Sequence, residues 1–298
     1  MATGIKGAPS HQIIRLGEEL RRLRTLGSAT LKQVADACNA NPQITTPWDS
    51  TKISKIERAE LLITRDELRD LLAHFAVEEG DQVEYHDLLR QDAPSGRFWL
   101  DPEFEDALTP GLVQFLTLEA DAAETVEYAA GCTFPGLSQT SDYAAKVIER
   151  GVNAPSADVV ESGAAARMLR QRRLTEGPVL QHTAYFHEFA LMAEDDPKIL
   201  VGQIRRAIEL AKYANVTLRM LPLTAGRAGI LASGLVLMRF PDPAAKKFVF
   251  IEAVGGMLPR GSGQEVRRAE RVFGRFNLVA LSPQDTVAAL ELKLEELS

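Results

Sequence analysis

The sequence predicts a mainly α chain with an α+β C-terminal domain, opening on a bundle of four or five short helices. Three observations carry that prediction. Through the first 75 residues, apolar side chains recur at spacings of three and four between charged ones. Farther on, residues 235–240 and 248–252 are rich in Val, Ile, Leu and Phe and bounded by Gly or Pro, the mark of paired strands. The length of 298 residues exceeds one ordinary core and suffices for two domains. Ala93-Pro94-Ser95-Gly96 is a natural break, so domains are expected at 1–95 and 96–298.

Ile13, Leu16, Leu20 and Leu23 mark the first helix, with Arg15, Glu18, Arg21 and Arg22 between them. Thr30 and Gln33 have capping-box spacing, in which each side chain bonds the other residue's backbone N–H. Leu31, Val34, Ala35 and Cys38 then form the inner face of the second helix. Asp49 or Ser50 caps the third, which reads Asp-Ser-Thr-Lys-Ile-Ser-Lys-Ile-Glu. Its Ile53 and Ile56 face a core and leave Ser50, Thr51, Lys52 and Lys55 on other faces. Thr64 and Glu67 form another capping box ahead of Leu68, Leu71, Leu72 and Phe75. Residues 78–91 read as a further helix. The order fits a helix-turn-helix, whose second helix enters the DNA major groove.

In the body, helices are expected at 112–123, 141–150, 157–174 and 199–214, and strands at 124–130 and 217–221 beside the pair already named. Ser282, Pro283 and Asp285 give a cap, a first-turn proline and a first-turn acid, opening a last helix striped with Val287, Leu290, Leu294 and Leu297. Gly226, Gly229, Gly234, Gly261 and Gly263 read as turns, because no Gly-Lys-Ser/Thr follows them as in a phosphate-binding loop.

The net charge of −7 hides an asymmetry. Residues 1–75 hold 11 basic and 9 acidic side chains, whereas the remainder holds 23 basic and 32 acidic. A polyanion is therefore expected at the N-terminal domain and repelled by the acidic body. No apolar run reaches the ~18 residues of a membrane helix, and Met-Ala-Thr-Gly-Ile-Lys lacks the apolar stretch of a secretory signal. Cys38 and Cys132 lie far apart, which suits a reduced cytoplasmic setting with both as small buried apolar side chains. No enzyme, metal or cofactor is expected. His187-Glu188 opens like a zinc-protease helix, but Leu191 stands at the second histidine's position, and His182 and His187 are placed on different helical faces.

Leu23-Arg24, Thr30-Leu31 with Val34-Ala35, and Ile53-Ser54-Lys55-Ile56-Glu57-Arg58 resemble the xenobiotic-response-element and phage-repressor type of helix-turn-helix. The resemblance implies that Ser50, Thr51 and Lys55 reach base edges and that Thr30 and Asp49 lie near phosphate. Chemistry agrees, since Lys55 can donate to guanine O6 or N7, and Ser or Thr to several bases. Lys52 and Arg58 are expected at phosphates, positioning the domain without reading sequence. A carboxylate directly after an inward Ile56 is half buried and needs a partner, so a structural ion pair is expected between Glu57 and Arg24. Two departures stand out. Residues 39–47 lengthen the usual short turn into a loop expected in solvent, with Trp48 after it as a packed staple, and Ala59 replaces the family's helix-end glycine.

The body carries a second likeness. Its pieces are Phe134-Pro135-Gly136-Leu137-Ser138-Gln139-Thr140 with Asp142-Tyr143-Ala144, Arg170-Gln171-Arg172-Arg173-Leu174, residues 216–223 with Ala225-Gly226, Phe250-Ile251-Glu252, and Ala280-Leu281-Ser282-Pro283. In this order they resemble the C-terminal domain of a large actinobacterial family of antitoxin-like regulators. That implies transcription regulation on double-stranded operator DNA and a small partner protein encoded nearby. A homodimer on paired half-sites is the geometric expectation, since one helix-turn-helix reads only a few base pairs. The alternative makes the body an interaction module that sequesters the small partner, with DNA binding secondary. Arg170, Arg172 and Arg173 are expected on a solvated face with structural ion pairs, and Gln139-Thr140 as a cap.

Overall fold

The computed structural model describes residues 3–4, 9, 11–42, 44, 46–77, 98–151, 155–194, 196–242, 245–253 and 256–297. They form two compact units, Met1–Arg97 and Phe98–Ser298. The expected helix at 78–91 and the break at 93–96 lie outside the described residues.

In the first unit, α1 (His11–Leu26), α2 (Leu31–Ala40), α3 (Ser50–Glu57) and α4 (Arg65–His74) enclose one core. Two-residue strands β1 (Thr3–Gly4) and β2 (Leu61–Leu62) pair antiparallel beside them. Helix starts follow capping chemistry: Thr30 and Thr64 make capping boxes with Gln33 and Glu67, and Asp49 accepts the Lys52 N–H at 2.8 Å. Leu16, Leu20, Val34, Ala35, Cys38, Trp48, Ile53, Ile56, Leu68, Leu71 and Leu72 make the core. The helix ends are less conventional. Ser28, Ala59 and Ala76 hold the left-handed conformation (φ 53°, 56° and 55°) that glycine adopts more easily. At each, the next residue's N–H reaches back five residues: Ala29 to Arg24 O, Glu60 to Lys55 O and Val77 to Leu72 O, at 3.1, 2.8 and 3.0 Å. These bonds satisfy helix-end carbonyls and hold the strained residues in place.

The second unit is built on a six-stranded sheet in the order β5-β4-β3-β6-β7-β8. Its strands are β3 (Glu124–Tyr128), β4 (Gln181–His187), β5 (Val216–Leu221), β6 (Leu235–Arg239), β7 (Phe248–Ala253) and β8 (Gly256–Arg260). The pairs β3–β4 and β4–β5 are parallel; β3–β6, β6–β7 and β7–β8 are antiparallel. Helices α5 (Pro110–Asp121), α6 (Ser141–Glu149) and α7 (Ala157–Gln171) flank β3 in sequence, and α8 (Pro197–Leu210) joins β4 to β5. Last come α9 (Gly263–Val279) and α10 (Pro283–Glu296). Alternation along the strands divides the sheet. Val126, Tyr128, Tyr185, Leu237 and Val249 pack with Ala269, Phe273 and Phe276 of α9. On the other face, Phe250 meets Phe115 of α5 edge to face and Phe186 stacks on Phe134.

Three elements differ from expectation. His182 and His187 stand on β4, not on a helix. The strand reads Gln-His-Thr-Ala-Tyr-Phe-His, and its polar residues mask a segment buried almost throughout. Gly263 opens α9 instead of a turn, because Ser262 caps that helix in a box with Glu265. The edge strand β8 contains Gly256 and Pro259, which weaken any strand signal but are tolerated where no further strand pairs.

Candidate nucleic-acid interface

The exposed side of α3 is set by what its other side must bury. Ile53 and Ile56 are 2% and 3% exposed, and one helical turn then places Ser50, Thr51 and Lys55 outward, all exposed. The Lys55 ammonium has no hydrogen bond or ion pair among the described residues. Asp49, one residue before, caps the helix, so its charge serves the helix N-terminus.

The back of α3 is fixed at two points. Arg24 Nε and Nη2 donate to the two Glu57 carboxylate oxygens at 2.6 and 2.8 Å, and Nη1 donates to Ala29 O at 3.0 Å. With side chains 13% and 7% exposed, the pair is shielded, and the bond to Glu57 raises the Arg24 pKa. Gly17 is the second point. A Cβ there would stand 2.8 Å from both Ile56 O and Glu57 O, so only glycine lets α1 cross the end of α3 this closely. Sequence reasoning missed Gly17, although a glycine inside an amphipathic helix was its signal.

Lys52 is not where a phosphate anchor was expected. Its ammonium lies 2.9 Å from Glu67 Oε1, donates to Pro47 O at 3.1 Å, and sits 4.3 Å from the centre of the Trp48 ring. Its side chain is 15% exposed and that of Glu67 only 2%. Burial pulls the Glu67 carboxyl upward, but bonds from Lys52 and from Thr64 outweigh it and hold the group below the usual carboxylate range. The cause is α4: its capping box places Glu67 beneath α3, and a buried carboxylate recruits the nearest ammonium. Arg58, by contrast, is exposed, in a surface pair with Glu60 at 2.8 Å. Thr30 caps α2, its hydroxyl engaged with Gln33.

The long connection before α3 is tied down at both ends. Asn39 Nδ2 donates to Trp48 O at 2.7 Å, and Asn39 Oδ1 accepts the Trp48 N–H at 2.9 Å. Within it Ile44 packs against the core, so an apolar side chain anchors a loop expected in solvent, although residues 43 and 45 lie outside the described set. Trp48 is 4% exposed and belongs to the core. Cys38 is buried, which pushes its thiol up to about 11; Cys132, expected buried, is exposed.

In the body, the motif segments brace one another. The Phe134–Thr140 turn is held by Gln139 Nε2 to Phe134 O (2.7 Å), Gln171 Nε2 to Gln139 O (2.6 Å) and Gln203 Nε2 to Ser138 O (2.8 Å). Arg170 pairs with Glu119, beside Glu127, and Arg173 donates to Ala122 O at 2.8 Å. Arg172 makes only an exposed pair with Glu176. Burial, with Arg170 adjacent, pulls Arg167 down to about 10. Burial and the same arginine push His182 down to about 4, leaving a neutral imidazole 2.8 Å from Thr125 Oγ1. His182 Nε2 lies 3.8 Å from Glu127 Oε2, and neither atom has a hydrogen bond among the described residues. Among the described residues no cluster of three or more His, Cys, Asp or Glu could hold a metal ion, and no helix is long and apolar enough to cross a membrane.

Comparison with known families places both units. Residues 15–85 match a helix-turn-helix domain, and residues 112–291, more than half of the chain, match a domain of unknown function, DUF5753. The chain belongs to the DUF5753 family. No curated protein and no solved structure matches it. In this DUF5753 protein the helix-turn-helix domain supports a DNA-binding regulator. The DUF5753 match spans the sheet from β3 to β8 together with the braced turn at Phe134–Thr140.

Proposed function

We propose that this chain is a cytoplasmic, sequence-specific transcriptional regulator of the xenobiotic-response-element type, within an antitoxin-like actinobacterial group. It lays α3 in the major groove of operator DNA. Ser50, Thr51 and Lys55 meet base edges; Arg58 and the N-terminus of α2 at Thr30 meet phosphates. Lys52 is a brace. One observation carries the reading: three hydrogen-bonding side chains stand exposed on a helix held in place by the buried Ile53 and Ile56 and by the Arg24–Glu57 pair. The body is the regulatory unit, and a two-fold dimer extends the reading to paired half-sites. Selection from random duplexes tests it. A recurring sequence motif is expected, with guanine N7 methylation inside the motif blocking binding; recovery of unrelated sequences would refute it.

A second reading gives the body a small protein partner to hold. It draws on Phe189, Met192, Leu223 and Ile230, which are 44%, 58%, 42% and 46% exposed on segments following β4 and β5. Glu188 Oε2 accepts the Leu223 N–H at 2.7 Å, which brings two of those segments together. A full-length Phe189→Ser/Leu223→Ser variant should lose a stoichiometric partner that co-purifies with the wild type from its own cells; equal recovery by both would count against it.

A further inference from the structure

Helix α9 has a face that the sheet does not use. Ala269, Phe273 and Phe276 turn inward. Opposite them, Arg267, Arg268, Arg271 and Arg275 fall within about 100° of arc and about 12 Å of helix length. All four are exposed, and among the described residues none is in an ion pair or hydrogen bond. Arg275 makes only a ring contact, 5.6 Å over Phe276. The helix's own carboxylates are already taken: Glu265 by Arg260 at 3.4 Å and Glu270 by Lys247 at 2.8 Å. Like charges three and four residues apart destabilise an isolated helix by ~0.2–0.5 kcal/mol per pair, so the row is strained until an anion meets it.

The composition of the face says which anion. Its other exposed positions are Gln264 and Gly274; Val272 among the arginines is half-buried against the core, and the first exposed apolar side chain, Leu278, comes only at the end of the row. A protein interface needs an apolar centre, which this row lacks, whereas phosphates need only guanidinium donors, which bind them bidentately. The row also sits in a body, residues 98–298, whose 26 acidic side chains outnumber its 21 basic ones, so it is a local exception to the repulsion the bulk charge imposes.

We propose that the arginine row of α9 is a second nucleic-acid contact that grips the phosphate backbone of duplex DNA flanking the sequence read by α3. The proposal rests on the DNA-binding reading above and extends it to the body. The row makes no base contacts, so it strengthens binding without altering sequence preference.

The test uses full-length wild type and Arg268→Gln/Arg271→Gln/Arg275→Gln on two duplexes, one trimmed to the selected site and one with long flanks. Each phosphate contact contributes about 0.9 to the slope of log affinity against log salt. On the flanked duplex the variant should bind more weakly, with a slope shallower by about 2–3; on the trimmed duplex the two proteins should match. Equal slopes on both duplexes, with unchanged circular dichroism, would overturn the proposal. An unrelated duplex at low salt separates the two readings, because the row predicts a slope difference there whether or not α3 reads sequence. If poly-glutamate binds the wild type better than the variant while DNA shows no difference, the row belongs to a protein partner and the proposal fails.

Discussion

Replacing Lys52 by methionine distinguishes a brace from a phosphate anchor. The substitution keeps the stem and removes the ammonium from Glu67 Oε1 (2.9 Å), Pro47 O (3.1 Å) and the Trp48 ring (4.3 Å). Glu67, 2% exposed, then keeps the Thr64 N–H at 2.9 Å but loses the Lys52 ammonium. Removing one partner of a buried pair costs ~3–5 kcal/mol, and the 15% exposure of Lys52 admits some water, so the lower end applies, about 3 kcal/mol. In urea this moves the midpoint by about 1 M or more. Trp48 fluorescence in a Trp99→Phe background reports the first unit alone, since the chain has 2 tryptophans. The pH dependence carries a sign. In the wild type, Glu67 lies below its usual range and contributes stability above about pH 4.5 that is lost as pH falls through its folded value. In Lys52→Met the lowering by Lys52 is gone while burial and the Thr64 bonds remain, so the carboxyl titrates higher than in the wild type, and the penalty is present at neutral pH and fades on acidification. The gap between the two proteins should therefore narrow from pH 7 to pH 4. An unchanged urea midpoint, together with a DNA-binding salt slope lower by about 1, would refute the brace and restore the phosphate anchor.

Further outcomes follow from the same geometry. Gly17→Ala gains about 1 kcal/mol of helix propensity but drives a Cβ to 2.8 Å from two carbonyl oxygens, so a net loss of ~1–2 kcal/mol is expected by urea unfolding; a stabilised variant would show that α1 can move away at no cost. Ser28→Gly and Ala76→Gly, at exposed left-handed positions, should each raise stability by ~0.5 kcal/mol in thermal melts, and a loss at both would contradict the strain argument. His182, held near 4 against an ordinary 6.5, takes up a proton in the unfolded state before the folded one. The second unit should thus lose about 2 kcal/mol between pH 7 and pH 5, read through Trp99, and His182→Gln should flatten that slope.

The first unit was legible because its signals are local. Capping boxes at Thr30 and Thr64 and the spacing of Ile53 and Ile56 are written within single helices. What escaped depended on contacts between segments distant in sequence. Lys52 was assigned outward from its own helix, whereas Glu67, fifteen positions on, decides where its ammonium goes. Gly17 matters only because α3 crosses it. In the body, β4 hid behind two histidines and a glutamine that are accommodated by hydrogen bonds such as Thr125 to His182, and α9 hid behind glycines read as turns. Residue identities there follow the partner strand or the cap, and periodicity does not report either.

The claim that α3 reads DNA through Ser50, Thr51 and Lys55 is tested most directly by Lys55→Ala, with affinities measured at physiological salt on the selected duplex and on a scrambled one. The variant should lose ~1–3 kcal/mol on the selected duplex and little on the scrambled one, because a base contact discriminates and a phosphate contact does not. Equal losses on both, or none on either, would contradict the account.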